Sequence, residues 1–222
     1  MTNACLFSGG KDSTLALHKV INAGINVDLL ITFLSENKFS YMFHYPNAKQ
    51  TSLQAEALGI KQIFIKTEGK KEEELKDLED ALVKNNVTLL ITGATFSKYQ
   101  ADRIKKITDK HKIENIAPLW HVDPIVELTE LSENFNVIIS AVAADGLNDT
   151  HLGRRIDKQL IEELIDLNKK NGINLVFEGG EAESFVLDGP LFKKRIKIIK
   201  AKKEWNGERG VLEIEEAILE NK

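Results

Sequence analysis

Cysteine is nearly absent from this sequence, which has one, Cys5, among its 222 residues. A single cysteine excludes a disulfide within the chain, and it excludes a metal or redox site of the Cys-x-x-Cys type. Because Cys5 lies in a short apolar segment, we expect it to be a buried hydrophobic side chain.

Long apolar runs and a strong excess of charge are also missing. No window approaches the roughly 18 apolar residues that span a bilayer, and no signal-peptide pattern is visible. Thirty Lys and Arg residues against 34 Asp and Glu residues give a net charge of -4. The chain therefore lacks the excess of positive charge that is typical of nucleic-acid-binding proteins. We therefore expect a cytoplasmic protein without a membrane or nucleic-acid partner, and the sequence leaves a homo-oligomer open.

Short apolar segments alternate with amphipathic segments in the first half of the chain. They predict strands at residues 4–7, 27–33, 62–65 and 88–92, and helices at residues 13–23, 47–58, 72–84 and 97–110. This alternation indicates βαβ units and a parallel sheet, so the predicted class is α/β. We place one domain at residues 1–115 and a smaller α/β domain at residues 116–222.

The second half of the chain has a different pattern. It predicts helices at residues 125–133 and 157–170 and strands at residues 137–142, 174–177, 193–205 and 211–219. Asn206-Gly207 joins the last two strands and is a strong hairpin signal. The first of these strands is rich in lysine and the second in glutamate, which favours a charged edge hairpin over a nucleic-acid patch.

The string SGGKDS, residues 8–13, stands where the first predicted strand ends and the first helix begins. A helix start offers unpaired N–H groups to an anion, and two glycines let a phosphate approach the backbone. We expect Lys11 to add positive charge and the Ser8 and Ser13 hydroxyls to donate to phosphate oxygens. Asp12 repels phosphate, so its predicted role is to hold Mg²⁺, directly or through water, or to cap the helix.

The SGGKDS string lacks the spacing of a Walker P-loop and resembles the pyrophosphate-binding loop of the N-type ATP pyrophosphatases. The resemblance implies a HUP-like nucleotide-binding domain, with ATP cleaved between its α and β phosphates. It implies that Thr32 and Phe33 meet adenine and that Gly93 lies near the ribose or α-phosphate. The implied ATP site comprises Ser8, Gly9, Gly10, Lys11, Asp12, Ser13, Thr32, Phe33 and Gly93, with Lys11 and Asp12 catalytic.

Four further segments each follow a predicted strand. They are SYMFHYPN (40–47), GATFSKYQADR (93–103), ADGLNDTHLGRRID (144–157) and FEGGEAESFVLDGPLF (177–192). Open α/β sheets bind ligands beyond the carboxyl ends of their strands, so these segments are predicted to converge on one crevice.

In this order the four segments resemble the diphthine-ammonia ligase family, most specifically in GATFSKYQ, LGR and EGGEAESFVLD. The resemblance implies amidation of diphthine, a modified histidine of elongation factor 2, by ATP and ammonium. The products would be diphthamide, AMP and pyrophosphate. Ala182 stands where the eukaryotic members have a tyrosine, and HYPNA differs from the family after Tyr41 and Met42.

The segment FEGGEAESFVLDGPLF (177–192), called the acidic motif below, and several aromatic residues are predicted to bind the acceptor substrate. Three carboxylates around two glycines are costly to bury without a ligand, and such groups bind ammonium and accept its proton, so Glu181 is a third catalytic candidate. Aromatic faces attract the quaternary ammonium of diphthine, for which we consider Tyr41, Tyr99, Trp120 and Phe185. The predicted substrate-binding residues are Tyr41, His44, Tyr99, Gln100, Arg103, Trp120, Glu178, Gly179, Gly180, Glu183, Ser184 and Asp188.

Two other functions stay open from the sequence. A tRNA-modifying ATP pyrophosphatase would share the loop, although the paired cysteines on which thiolating relatives rely are missing. A non-catalytic adenine-nucleotide sensor would also share it, and would leave the acidic motif unexplained. His44 and His151 have no third ligand at metal spacing, so no zinc site is predicted.

Overall fold

A five-stranded parallel sheet forms the first half of the chain. The structure, a computed structural model, describes residues 1–35, 47–68 and 73–222. The strands are β1 Thr2–Leu6, β2 Leu29–Ser35, β3 Lys61–Thr67, β4 Val87–Ile91 and β5 Glu114–Ile116. They lie in the order β3-β2-β1-β4-β5 with parallel neighbours, which confirms the predicted sheet.

The helices of this half cover the two faces of the parallel sheet. They are α1 Lys11–Asn22, α2 Thr51–Leu58, α3 Glu73–Lys84 and α4 Lys98–His111, with a 3-10 turn Ala48–Gln50 before α2. The strand order reverses between β1 and β4, since β2 and β3 lie on one side of β1 and β4 on the other. The carboxyl ends of strands at such a switch point form the crevice in which open α/β sheets bind ligands.

An antiparallel sheet forms most of the second half. Its strands are β6 Asn136–Val142, β7 Ala182–Asp188, β8 Lys194–Trp205 and β9 Gly210–Asn221, in the order β7-β6-β9-β8. Helices α5 Pro124–Asn134 and α6 Lys158–Asn171 accompany it, with a 3-10 turn Asp149–His151 between β6 and α6. The predicted α/β class is thereby confirmed.

The acidic motif contains a strand that the sequence pattern did not predict. The strand predicted at residues 174–177 is wrong: this segment is a turn in which Phe177 has a φ of 64°. Val176 and Phe177 are buried, at 2% and 7% exposure, but do not pair in a sheet. Their apolar side chains therefore resembled those of a buried strand. The strand is β7 instead, at Ala182–Asp188 within the acidic motif.

The predicted terminal hairpin is confirmed, and its charges pair across the two strands. Lys200 Nζ lies 2.6 Å from Glu215 Oε2, and Arg195 lies 2.8 Å from Glu220 Oε2. Strand β8 is an edge of the sheet, where lysine side chains hinder pairing with another chain.

One apolar core joins the two sheets. It includes Leu15 and Leu17 of α1, Leu128 of α5 and Phe185 of β7. Cys5 lies in the same core at 0% exposure, as expected, and burial raises the pKa of its thiol to about 12. Over residues 1–35, 47–68 and 73–222, no helix has both the length and the apolar character needed to cross a membrane.

Candidate active site

The glycine loop lies between β1 and α1, at the switch point of the parallel sheet. Gly9 has a φ of 78°, and a Cβ there would overlap Gln54 Oε1, so both the backbone and the packing require glycine. The Ser8 and Ser13 hydroxyls lie 3.1 Å apart, and the Gly10 N–H donates to Ser8 Oγ at 3.3 Å. Gly10, the residue before α1, makes no side-chain cap, which leaves N–H groups of the first turn suited to an anion.

Strand β7 is bonded directly to this loop. The Val186 N–H donates to Gly9 O at 3.0 Å, and the Lys11 N–H donates to Ser184 Oγ at 3.0 Å. Gln54, which is 0% exposed, donates through Nε2 to Gly9 O at 2.9 Å and to Val186 O at 2.7 Å. The acidic motif is therefore held against the loop, although about 170 residues separate them in the sequence.

The side chain of Lys11 is directed into the protein. It is 1% exposed, and its Nζ donates to Asp12 and to Glu127 Oε1, the latter at 3.2 Å. The ammonium also lies 5.9 Å from the centre of the Phe177 ring. Burial by itself lowers the Lys11 pKa, but the charges of Asp12 and Glu127 outweigh it and raise that pKa. The positive charge thus compensates carboxylates of the chain itself.

Two carboxyl groups near Asp12, those of Glu127 and the half-buried Glu183, have raised pKa values. Glu127 of α5 is 0% exposed, and burial raises its pKa, an effect that the positive charge of Lys11 opposes. Burial, and after it the charge of Asp12, raises the pKa of Glu183 to about 7. Glu183 therefore offers a carboxyl group that exchanges protons near neutral pH, while Glu127 stays paired with the Lys11 ammonium.

The other two glutamates of the acidic motif have different partners. Glu178 accepts a hydrogen bond from the hydroxyl of Thr95, a residue 1% exposed that follows β4. Glu181 accepts from two backbone N–H groups, that of Asn174 at 3.0 Å and that of Gly179 at 2.9 Å. Glu181 consequently shapes the turn that contains Gly179 and Gly180, while Glu178 joins this turn to the parallel sheet.

The residues predicted to meet adenine and ribose also have structural roles. A Cβ on Gly93 would lie 2.7 Å from the Asp12 C and Ser13 N atoms, so glycine lets the end of β4 contact α1 closely. Thr32 donates through Oγ1 to Phe7 O at 2.6 Å. Thr32 and Phe33 are 1% and 2% exposed, so a contact with adenine there would use the main chain.

Aromatic side chains stack beside Thr95. The rings of Trp120 and His121 are 4.8 Å apart, and those of His121 and Phe96 are 5.5 Å apart, both nearly parallel. The His121 N–H donates to Thr95 O at 3.0 Å, which fixes the stack to the segment after β4. Trp120 was predicted from the sequence, whereas Phe96 and His121 were not, because single aromatic residues in loops have no periodic pattern.

The predicted substrate-binding residues on α4 lie close to one another. The guanidinium of Arg103 lies over the Tyr99 ring, 3.7 Å from its centre, as expected for residues four apart on one helix. The Gln100 N–H donates at 3.4 Å to Ser97, the cap of α4.

Other predicted residues lie away from the loop. Asp188 is at the far end of β7, where its Oδ1 lies 2.7 Å from Lys222 Nζ. Phe185 is 1% exposed in the core, so its expected place in an aromatic cage is wrong. Tyr41 and His44 lie outside the described residues.

No zinc site is formed in the part of the chain that the structure describes. His151 is buried and bonded to Asn148 and, at 2.9 Å, to Glu163, so it caps the turn before α6. Residues 1–35, 47–68 and 73–222 contain no group of three or more His, Cys, Asp or Glu side chains placed to hold a metal ion.

Glu127 is the main residue that sequence analysis missed. Its signal was a carboxylate on the apolar face of a predicted helix, next to Leu128 and one turn before Leu131, both 0% exposed. The pattern shows that such a charge is buried, but its partner, Lys11, lies 116 residues away.

A parallel sheet whose order reverses beside an uncapped, glycine-rich turn defines a nucleotide-binding α/β protein. Two sequence-family models match the chain: the diphthamide synthase N-terminal domain over residues 1–114 and the C-terminal domain over residues 123–219. The chain therefore belongs to the diphthamide synthase family, which confirms the predicted resemblance.

Individual relatives agree with the family models. The diphthine–ammonia ligase of Homo sapiens is 34% identical over 220 residues, covering 88% of this chain and 82% of the relative. That of Danio rerio is 32% identical over 214 residues, covering 86% and 84%. These names confirm the prediction of a ligase.

A solved structure from Methanocaldococcus jannaschii, described as a predicted subunit of tRNA methyltransferase, is 18% identical with a TM-score of 0.46. The match covers 86% of this chain and 98% of that one, and at this level of similarity it carries no argument about function.

Proposed function

We propose that this protein amidates diphthine on elongation factor 2, using ATP and ammonium and passing through an acyl-adenylate. The observation that carries the proposal is the bonded contact between the glycine loop and β7, through Gly9, Val186 and Ser184. It brings a site suited to a leaving pyrophosphate next to carboxyl groups suited to ammonium. The names of the relatives supply the acceptor, diphthine.

ATP would place its phosphates at the loop of residues 8–13. The Lys11 N–H donates to Ser184, so the donors available to ATP are the N–H groups of Asp12 and Ser13 in the first turn of α1 and the hydroxyls of Ser8 and Ser13. Asp12, 35% exposed, would hold Mg²⁺. One carboxylate suits Mg²⁺, which takes its other ligands from water and phosphates and, when bound, neutralises phosphate charge.

The first chemical step would form the adenylate. A carboxylate oxygen of diphthine attacks the α-phosphorus, and the bond from that phosphorus to the bridging oxygen of pyrophosphate breaks. The negative charge that leaves with pyrophosphate meets the N–H groups of the loop, which stabilise it. We assign Lys11 to the support of this loop, because its ammonium is bonded to Asp12 and Glu127.

The second step would transfer ammonia. Ammonium loses one proton, ammonia attacks the carbonyl carbon, AMP leaves with the bond electrons, and the new amide loses a second proton. We propose that Glu183 accepts the first proton, because its pKa of about 7 is close to neutral pH and it lies near Asp12. Glu181 suits this role less, since both of its oxygens accept backbone N–H groups.

The quaternary ammonium of diphthine would lie near the stack of Phe96, His121 and Trp120. Aromatic faces and a carboxylate both attract such a cation, and Glu178 is joined to the stack through Thr95.

The test is to incubate the protein with ATP, ammonium and diphthine-bearing elongation factor. AMP and pyrophosphate should form only when all three are present, and the elongation factor should gain an amide by mass spectrometry. The matched control is the same elongation factor without diphthine. ADP as the product, or AMP formation that depends on RNA, would contradict the proposal.

A further inference from the structure

Glu127 brings a buried carboxylate from the second half of the chain to the phosphate loop. It is 0% exposed, and its Oε1 lies 3.2 Å from Lys11 Nζ. Its Oε2 has no hydrogen-bond partner among the described residues. Taking a carboxylate and an ammonium out of water costs free energy that their attraction only partly returns. A role beyond stability would explain why this pair is present.

Helix α5 is fixed firmly enough to place Glu127. Asp123 caps the helix by accepting from the Ile125 N–H at 2.8 Å and from the Val126 N–H at 3.2 Å. Leu128 and Leu131 pack in the same apolar core as α1. A second ion pair, Lys19 Nζ to Glu130 Oε2 at 2.6 Å, joins the two helices further along.

Lys11 is the first residue of α1 and is held from two directions. Its backbone N–H donates to Ser184 of β7, and its ammonium donates to Glu127 of α5. Both contacts come from the second half of the chain and act on the first turn of the helix. The next N–H groups of that turn, those of Asp12 and Ser13, are the ones that would face the phosphates.

We propose that Glu127 is a positioning residue for ATP: by holding the Lys11 ammonium, it fixes the first turn of α1 in the orientation that binds the triphosphate. Lys11 then acts as an anchor rather than as a phosphate ligand. This inference rests on the proposed function in so far as ATP occupies the loop.

The experiment measures ATP binding directly, by calorimetry, in a double-mutant cycle on the full chain. Loss of a hydrogen bond to a charged group predicts that Glu127→Gln and Lys11→Met each weaken ATP binding by about tenfold. Because the two residues act as one unit, the double variant should bind no more weakly than the weaker single variant. Glu130→Gln, which removes the partner of Lys19 on the same helix, is the control and should bind ATP like the wild type.

Urea unfolding of each variant separates positioning from stability. A purely structural role would lower the unfolding midpoint of Glu127→Gln and leave the ATP affinity of the folded protein unchanged, which would overturn the inference. Additive losses in the double variant would overturn it too. The double variant keeps the test valid if one single variant folds poorly, since removing both charges avoids an unpaired buried ion. A wild type that binds no ATP would contradict the proposed function as well, whereas a normal wild type with a normal Glu127→Gln variant contradicts this inference alone.

Discussion

The protein contains two sets of lysine–glutamate pairs that differ in their exposure to water. Lys11 and Glu127 meet beside the glycine loop at 1% and 0% exposure. Lys200 and Glu215 meet on the terminal hairpin at 68% and 33% exposure. An exposed pair contributes about 0–1 kcal/mol, while burying two ions costs several kcal/mol before their attraction is counted. The hairpin charges keep an edge strand solvated, whereas the buried charges require a functional explanation.

The largest effect should come from Glu183, the half-buried carboxyl group that we propose as the base for ammonium. Glu183→Gln keeps the shape of the side chain but cannot accept a proton, so amide formation should fall by about 10²- to 10⁴-fold. ATP binding should be retained, since the loop contact comes from Ser184 and Val186. The measurement is the rate of AMP formation with saturating ATP and ammonium.

The matched control is Glu213→Gln on the exposed face of the hairpin, which should leave that rate unchanged. Equal rates for Glu183→Gln and the wild type would show that a raised carboxyl pKa beside the loop does not mark the ammonium base.

Substitution of Lys11 and of Lys200 compares how much the buried and the exposed ion pair contribute to the free energy of unfolding. Lys11→Ala leaves Asp12 and Glu127 facing each other without a cation, and it should lower the free energy of unfolding by about 3 kcal/mol. Lys200→Ala should change it by less than about 0.5 kcal/mol, because water replaces the lost partner of Glu215. Urea unfolding at neutral pH measures both. Similar values for the two variants would remove the distinction between the buried and exposed pairs.

Local patterns predicted the parts of the fold in which neighbouring residues determine the outcome. The alternation of strands and helices predicted the parallel sheet, Asn206-Gly207 predicted the hairpin, and SGGKDS predicted the turn at residues 8–13. Strand β7 was missed, because it begins only two residues after a glycine pair typical of a loop.

The directions of charged side chains could not be predicted from sequence. The pattern placed Lys11 in the loop, but only tertiary structure shows that its ammonium meets Glu127, 116 residues away. Among the carboxylates of the acidic motif, the sequence favoured Glu181 as the catalytic group. The fold separates them, since Glu181 accepts backbone N–H groups, Glu183 lies near Asp12 and Asp188 pairs with Lys222.

Cys5 tests whether burial of a titratable group is by itself a sign of function, and here we expect the smallest effect. Burial raises its thiol pKa to about 12, so at pH 8 the thiolate, which is the reactive form, is scarce. Iodoacetamide should therefore leave Cys5 unmodified in the native protein and alkylate it completely in urea. Cys5→Ala should form AMP within about twofold of the wild-type rate, because this buried group, unlike Lys11, has no charged partner among the described residues and lies in the apolar core. Rapid alkylation of the native protein, or loss of activity in Cys5→Ala, would instead favour sulfur chemistry at this loop and would revive thiolation of RNA as its function.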